Sequence, residues 1–167
     1  MTDKKEYKIS VDTRILELLG PNLYTNIYYV LAELIANAYD ASAHNVYIIS
    51  KDDEIIVEDD GNGMSYPEDI EKYLNVAKET RTSEDEAYTK DTLHRRKMGR
   101  KGVGKLAALS VSKEVYVMTI KNGDKSGFIS SRKVPDDTKQ LQGIDESDIK
   151  FEHITEHGTS IIIKDPE

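Results

Sequence analysis

The sequence predicts an α/β (α+β) domain built on antiparallel hairpins. Three observations carry this: one long amphipathic helical stretch, two hairpin signals, and enough apolar residues for a single core. In chain order, residues 12–19 form a short apolar-periodic stretch that Gly20-Pro21 stops. A stronger helix follows over residues 22–43, where Ile27, Val30, Leu31, Leu34, Ile35 and Ala38 recur at three- and four-residue steps and make one apolar stripe. Residues 45–50 and 54–58 are β-rich runs joined by Lys51-Asp52-Asp53, and the glycine-rich loop Asp59-Asp60-Gly61-Asn62-Gly63-Met64 closes the second run. Pro67 suits the first turn of a short helix reaching Val76. Residues 78–101 are long, charged and weakly periodic, and read as a lid extending to about residue 104. Gly99, Gly102 and Gly104 then feed a helix beginning at Lys105. Strands follow over residues 114–121 and 126–133, joined around Asn122-Gly123-Asp124. After a polar loop over residues 134–147, strands are expected near residues 148–154 and 160–164.

With 167 residues, 38% of them hydrophobic, the chain can enclose one sizeable core but not two ordinary domains. A net charge of -8 opposes a surface built throughout for nucleic acid, although a local basic patch could still bind it. The absence of cysteine excludes disulfides, zinc-thiolate sites and thiol nucleophiles and fits a reducing compartment. No apolar run approaches transmembrane length, and the first residues lack a signal peptide's apolar stretch. A soluble, cytoplasmic protein with no membrane partner is the expectation.

On the long helix, Glu33, Asn37 and Asp40 are spaced four and three apart and share one narrow face beside the apolar stripe. An Asn oxygen is a hard ligand for Mg²⁺ and a Glu one turn away can accept a proton from water, whereas the bland alternative is an exposed helix face. Ala36, Ala38 and Ala41 are small and let a ligand approach closely. In the loop after the strand, Gly61 and Gly63 let the backbone adopt positive φ or lie against a ligand without Cβ interference, whereas the bland alternative is an ordinary turn. At the strand end, Asp59 could accept a hydrogen bond from an exocyclic amine, the group that distinguishes adenine from guanine.

In Gly99-Arg100-Lys101-Gly102-Val103-Gly104-Lys105, backbone amides at a helix N-terminus and neighbouring cations would attract phosphate. The stretch also fits G-x-x-x-x-G-K, but Leu106 stands where a P-loop needs Ser or Thr, and no apolar strand precedes it. It matches the G-x-G-x-x-A of dinucleotide-binding folds equally weakly, because His94-Arg95-Arg96-Lys97-Met98 cannot be a buried parallel strand.

Taken in order, these segments resemble the GHKL (Bergerat-fold) ATPase family of gyrase B, the large heat-shock chaperone, histidine kinases and MutL. That family shows an asparagine helix box, a D-x-G-x-G loop and a G-x-x-G-x-G lid hinge. The box here, Glu33-Leu34-Ile35-Ala36-Asn37-Ala38-Tyr39-Asp40-Ala41, is close to the form of the chaperone, MutL and MORC branch. By this resemblance Glu33 is the general base and Asn37 the Mg²⁺ ligand. Asp59, Gly61, Gly63 and Met64 form the adenine-reading loop, and Gly99, Gly102 and Gly104 the lid hinge and triphosphate cradle. Gly158-Thr159 matches the family's closing Gly-Thr, whose hydroxyl helps hold the adenine carboxylate, and Asn75-Val76-Ala77-Lys78 resembles a segment whose lysine, Lys78, meets phosphate. The implied fold is a two-layer sandwich, a mixed and largely antiparallel sheet covered on one face by helices. The implied ligands are ATP, ADP and Mg²⁺, and slow hydrolysis with lid closure is expected to drive conformational change or homodimerisation. Because a cation from a following domain contacts the γ-phosphate in several relatives, the chain is expected to be one domain of a longer protein, weakly active alone.

Other readings differ in class. A histidine kinase is disfavoured because none of His44, His94, His153 and His157 is followed by an acidic residue. A non-hydrolysing nucleotide sensor or dimerisation module would not need both Glu33 and Asn37. Direct DNA contact through His94-Arg95-Arg96-Lys97 is not favoured in so acidic a chain. Client and pathway carry no sequence signature.

Overall fold

The computed structural model describes residues 5–8, 10–11, 27–76, 108, 111–131 and 140–166. The expected first helix over residues 12–19 and the lid over residues 78–104 lie outside them. The described elements are strands β1 (Tyr7–Lys8) and β2 (Ser10–Val11), helix α1 (Ile27–Asp40), β3 (Val46–Lys51), β4 (Glu54–Asp59), helix α2 (Glu68–Leu74), β5 (Asn75–Val76), β6 (Glu114–Lys121), β7 (Asp124–Ser131), β8 (Gln140–Gly143), a 3-10 turn (Glu146–Asp148) and β9 (Gly158–Lys164). Seven strands form one sheet in the order β1-β8-β7-β6-β9-β4-β3. Every pairing in it is antiparallel, and the parallel element of the mixed pattern is the separate pair β2-β5.

Both expected hairpins form. Lys51 pairs with Glu54 and Lys121 with Asp124. Asn122 and Gly123 take φ of 53° and 79°, the left-handed values a two-residue turn of this twist requires, so β7 starts two residues earlier than expected. Helix α1 ends at Asp40 rather than reaching Ala43. The Ala43 amide reaches back to the Ala38 carbonyl and that of Ser42 to Tyr39, while Ser42 takes φ 65° in the position glycine usually fills.

Alternation along the central strands separates two faces. On one, Val57, Ile161, Val117 and Phe128 lie in register across β4, β9, β6 and β7, and Val30, Leu34, Ile70 and Leu74 of the two helices pack on them. This is the two-layer sandwich. Ile35, expected in the apolar stripe, is 42% exposed because it lies on the far side of α1 from Val30.

Ile56 and Met118 are buried on the opposite face, and the irregular segment from Ile144 to His157 contributes buried Ile149 and Ile154. This segment corrects the strand expected over residues 148–154, since its two isoleucines are five apart and fit neither strand nor helix spacing. The strand lies instead at Gln140–Gly143, inside the expected loop, where it pairs with β7 and β1. Glu58, 1% exposed, holds the irregular segment by accepting the backbone N–H groups of Glu152 at 2.8 Å and His153 at 2.9 Å. Removing this carboxylate leaves two donors without partners. Glu58→Ala is expected to cost roughly 2–3 kcal/mol, a fall of roughly 5–10 °C in Tm by thermal denaturation.

Candidate functional site

The apolar rows of the helix-covered face end in a polar one. Beyond Val57, Ile161 and Val117, the next in-register residues are Asp59 on β4, Thr159 on β9 and Thr119 on β6. Asp59 is the last residue of β4, and the chain turns at once into the glycine loop. The Gly61 amide donates to Asp59 Oδ1 at 2.9 Å, and the Asn62 amide donates to the Ala41 carbonyl at 2.8 Å, tying the loop to the end of α1. A Cβ on Gly61 would lie 2.7 Å from that carbonyl. Gly63, at φ 70°, is held tighter still, because a Cβ there would lie 2.1 Å from the Ile120 carbonyl oxygen. Gly63 takes the positive φ expected as one use of these glycines, and the backbone that crowds each of them is the protein's own, at Ala41 and at Ile120.

Thr119 joins the pieces. Only 1% exposed, it accepts the Met64 N–H at 2.8 Å and donates to the Gly158 carbonyl at 2.9 Å, and its oxygen lies 3.1 Å from Thr159 Oγ1. His157 Nδ1 meets the Gly61 carbonyl at 2.5 Å. Neither residue was among the sequence candidates. The available signal for Thr119 was its place as an inward-facing polar residue in the apolar run Val117-Met118-Thr119-Ile120.

Two adjacent carboxyls are treated oppositely. Burial raises the Asp59 pKa to about 6, aided by the charges of Asp60 and Glu58 and opposed by the Gly61 N–H and by His157. Burial also acts on Asp60, but hydrogen bonds from the Asn45 side chain and from the Asn45 and His44 amides hold it below the usual range. Burial first, and then the Asp59 charge, push the Tyr73 hydroxyl up. Asp60 is therefore a loop fastener, while Asp59 is a carboxylate kept near its protonation point.

On α1, Glu33, Asn37 and Asp40 are all half-buried, on the stripe the spacing predicts. The Asn37 carbonyl accepts the Ala41 amide within the helix. Among the described residues, the Asn37 carboxamide and the Glu33 carboxylate make no hydrogen bond or ion pair. A half-buried carboxamide oxygen without a partner among the described residues suits a hard divalent cation such as Mg²⁺. Among the described residues, no group of three or more His, Asp or Glu converges as an all-protein metal cage would need. Lys78, Gly99, Arg100, Lys101, Gly102, Val103, Gly104 and Lys105 lie outside the described residues. No helix among the described residues is long and apolar enough to cross a membrane.

Comparison with known proteins adds two findings. The family described as histidine kinase-, DNA gyrase B-, and HSP90-like ATPase matches residues 24–159, a span that holds α1, the glycine loop and Thr159. This description joins several branches and does not choose among them. A protein of Herpetosiphon aurantiacus named "Putative type II restriction enzyme HgiDII" is 38% identical over 123 residues, covering 74% of this chain. The chain spans 20% of that relative's length.

Proposed function

The chain belongs to the histidine kinase-, DNA gyrase B- and HSP90-like ATPase family, and from that premise we propose that it binds ATP with Mg²⁺ and hydrolyses it slowly to ADP and phosphate. The observation that carries this reading is the polar row at the end of the apolar core, where Asp59 faces Thr159 beside two glycines that admit no side chain. There the Asp59 carboxylate accepts the adenine amine, and Met64 packs along the base. Asn37 holds Mg²⁺, which neutralises phosphate charge when bound. Glu33 orients a water and takes its proton as the water oxygen bonds to the γ-phosphorus and the bond to the β-phosphate oxygen breaks. Asp40 supports the same helix face. Lys78 and the segment Gly99 to Lys105, with Arg100, Lys101, Gly102, Val103 and Gly104, contact the triphosphate and close over it as a lid.

In this reading the domain works inside a longer protein, where lid closure drives a conformational change or brings two copies together. The restriction-enzyme description of the Herpetosiphon relative favours a defence-type role over a chaperone role, with nucleotide turnover coupled to an activity elsewhere in the protein. Glu33→Gln tests the base directly. Phosphate release is expected to fall at least about 100-fold with ATP affinity changed less than about threefold, since the substitution removes a transition-state interaction. Unchanged phosphate release would remove Glu33 from the mechanism and favour a nucleotide sensor that does not hydrolyse.

A further inference from the structure

A hydroxyl has one hydrogen to give, and three contacts compete for the proton arrangement at Thr119. The Gly158 carbonyl can only accept, so the Thr119 hydrogen goes there at 2.9 Å. The Met64 amide can only donate, and it fills one lone pair at 2.8 Å. The remaining contact, 3.1 Å to Thr159 Oγ1, is then a hydrogen bond only if Thr159 donates into the last lone pair of Thr119. The proton of Thr159 is thereby committed to β6. The family resemblance implies a contact between this hydroxyl and the carboxylate, yet no side-chain hydrogen bond joins Thr159 to Asp59, although the two are cross-strand partners on one face. With its proton given to Thr119, Thr159 has only lone pairs left to offer a ligand, and its cross-strand partner Asp59, as a carboxylate, also only accepts.

We propose that Thr119 is a positioning residue that sets the polarity of the base pocket: by holding the Thr159 proton it leaves two acceptors in the floor, which take a purine bearing a 6-amino group and reject one bearing a 6-oxo group. The proposal rests on the reading that Asp59 faces the base of a nucleotide. Thr119 is 1% exposed, too buried to reach a ligand directly. It acts through Thr159, through the Met64 backbone and through Gly158. Without its hydroxyl, Thr159 is free to rotate and present its proton to a 6-oxo group, so discrimination relaxes. A role in stability alone would weaken all nucleotides alike.

The test is calorimetric titration of the whole chain with ATP and with ITP, which differ on the six-membered ring in the 6-substituent and the N1 proton. Wild type, Thr119→Val and Thr119→Ser are compared. The ATP-to-ITP affinity ratio is expected to fall at least about tenfold in Thr119→Val and to stay within about threefold of wild type in Thr119→Ser, which restores the hydroxyl. If Thr119→Val does not fold, Thr119→Cys, of similar size but a poor acceptor, is read in its place with the same expectation. A ratio that is unchanged while both affinities fall together would overturn the proposal and leave ATP binding standing. Failure of folded wild type to bind either nucleotide would overturn the proposed function, and this inference with it.

Discussion

Asp59→Asn is expected to abolish nucleotide binding and, at neutral pH, to raise the stability of the empty domain. Asparagine keeps an oxygen that can accept the Gly61 N–H, so the loop retains its fastening. It loses the negative charge that burial and the neighbouring Asp60 and Glu58 oppose. The sign follows from proton linkage. The native pKa of about 6 lies above the ordinary 3.8, so the folded chain holds this proton more tightly than the unfolded one. The stability from the group is fully present below pH 3.8 and is lost as pH rises through about 6. The variant, which does not titrate, should therefore exceed wild type above about pH 6, by on the order of 2 kcal/mol, and lose that advantage near pH 4. Melting curves over this range check the stability arm, and a crossover in the opposite direction would contradict the burial argument. Titration with a non-hydrolysable ATP analogue checks the other arm, where a loss of at least about 100-fold is expected. A carboxylate that costs stability and gains binding is the pattern of a site maintained for its ligand.

Gly158→Ala is expected to be the most damaging single-methyl change in the described sheet. Gly158 has φ 145°, and a Cβ there would lie 2.0 Å from the Asp59 carbonyl oxygen, a contact that backbone cannot relieve without parting β9 from β4. Torsional strain and overlap together should cost roughly 3–5 kcal/mol. Gly123 is the control. It also has positive φ, 79°, but nothing lies within 4 Å of its added Cβ, so alanine there should cost only about 1 kcal/mol. Urea denaturation compares the crowded position with the open one, and equal losses would show that the close approach at Gly158 is easily relaxed.

The features legible in the sequence were those with local causes. The Glu33, Asn37 and Asp40 stripe needs only helical spacing, and the Asn122-Gly123 hairpin needs only two residues that tolerate positive φ. Asp59 with Gly61 and Gly63 could be read because strand end and loop are contiguous. Features decided by distant pairing were not legible. Gln140–Gly143 holds one large apolar residue, and becomes a strand through Tyr7, Phe128 and Ile129. Residues 148–154 looked strand-like because Ile149 and Ile154 are apolar, yet each enters the core singly while Glu58 anchors the backbone between them. Thr119 escaped notice for the same reason, since its partners lie 55, 39 and 40 positions away.

Strand β9 joins two hairpins that otherwise have no common neighbour, β3-β4 and β6-β7. Its pairing with β4 brings together Asp59 and Thr159, a hundred positions apart, whereas each hairpin closes over a two-residue turn. Loop-closure entropy favours formation of the two hairpins before β9 is inserted between them. The base site proposed above is incomplete until β9 is in place, because Asp59 arrives on β4 and Thr159 on β9. A nucleotide that recognises the assembled floor consequently has nothing to hold during the climb to the folding barrier. It acts as a latch on the finished domain, slowing its opening without hastening its assembly.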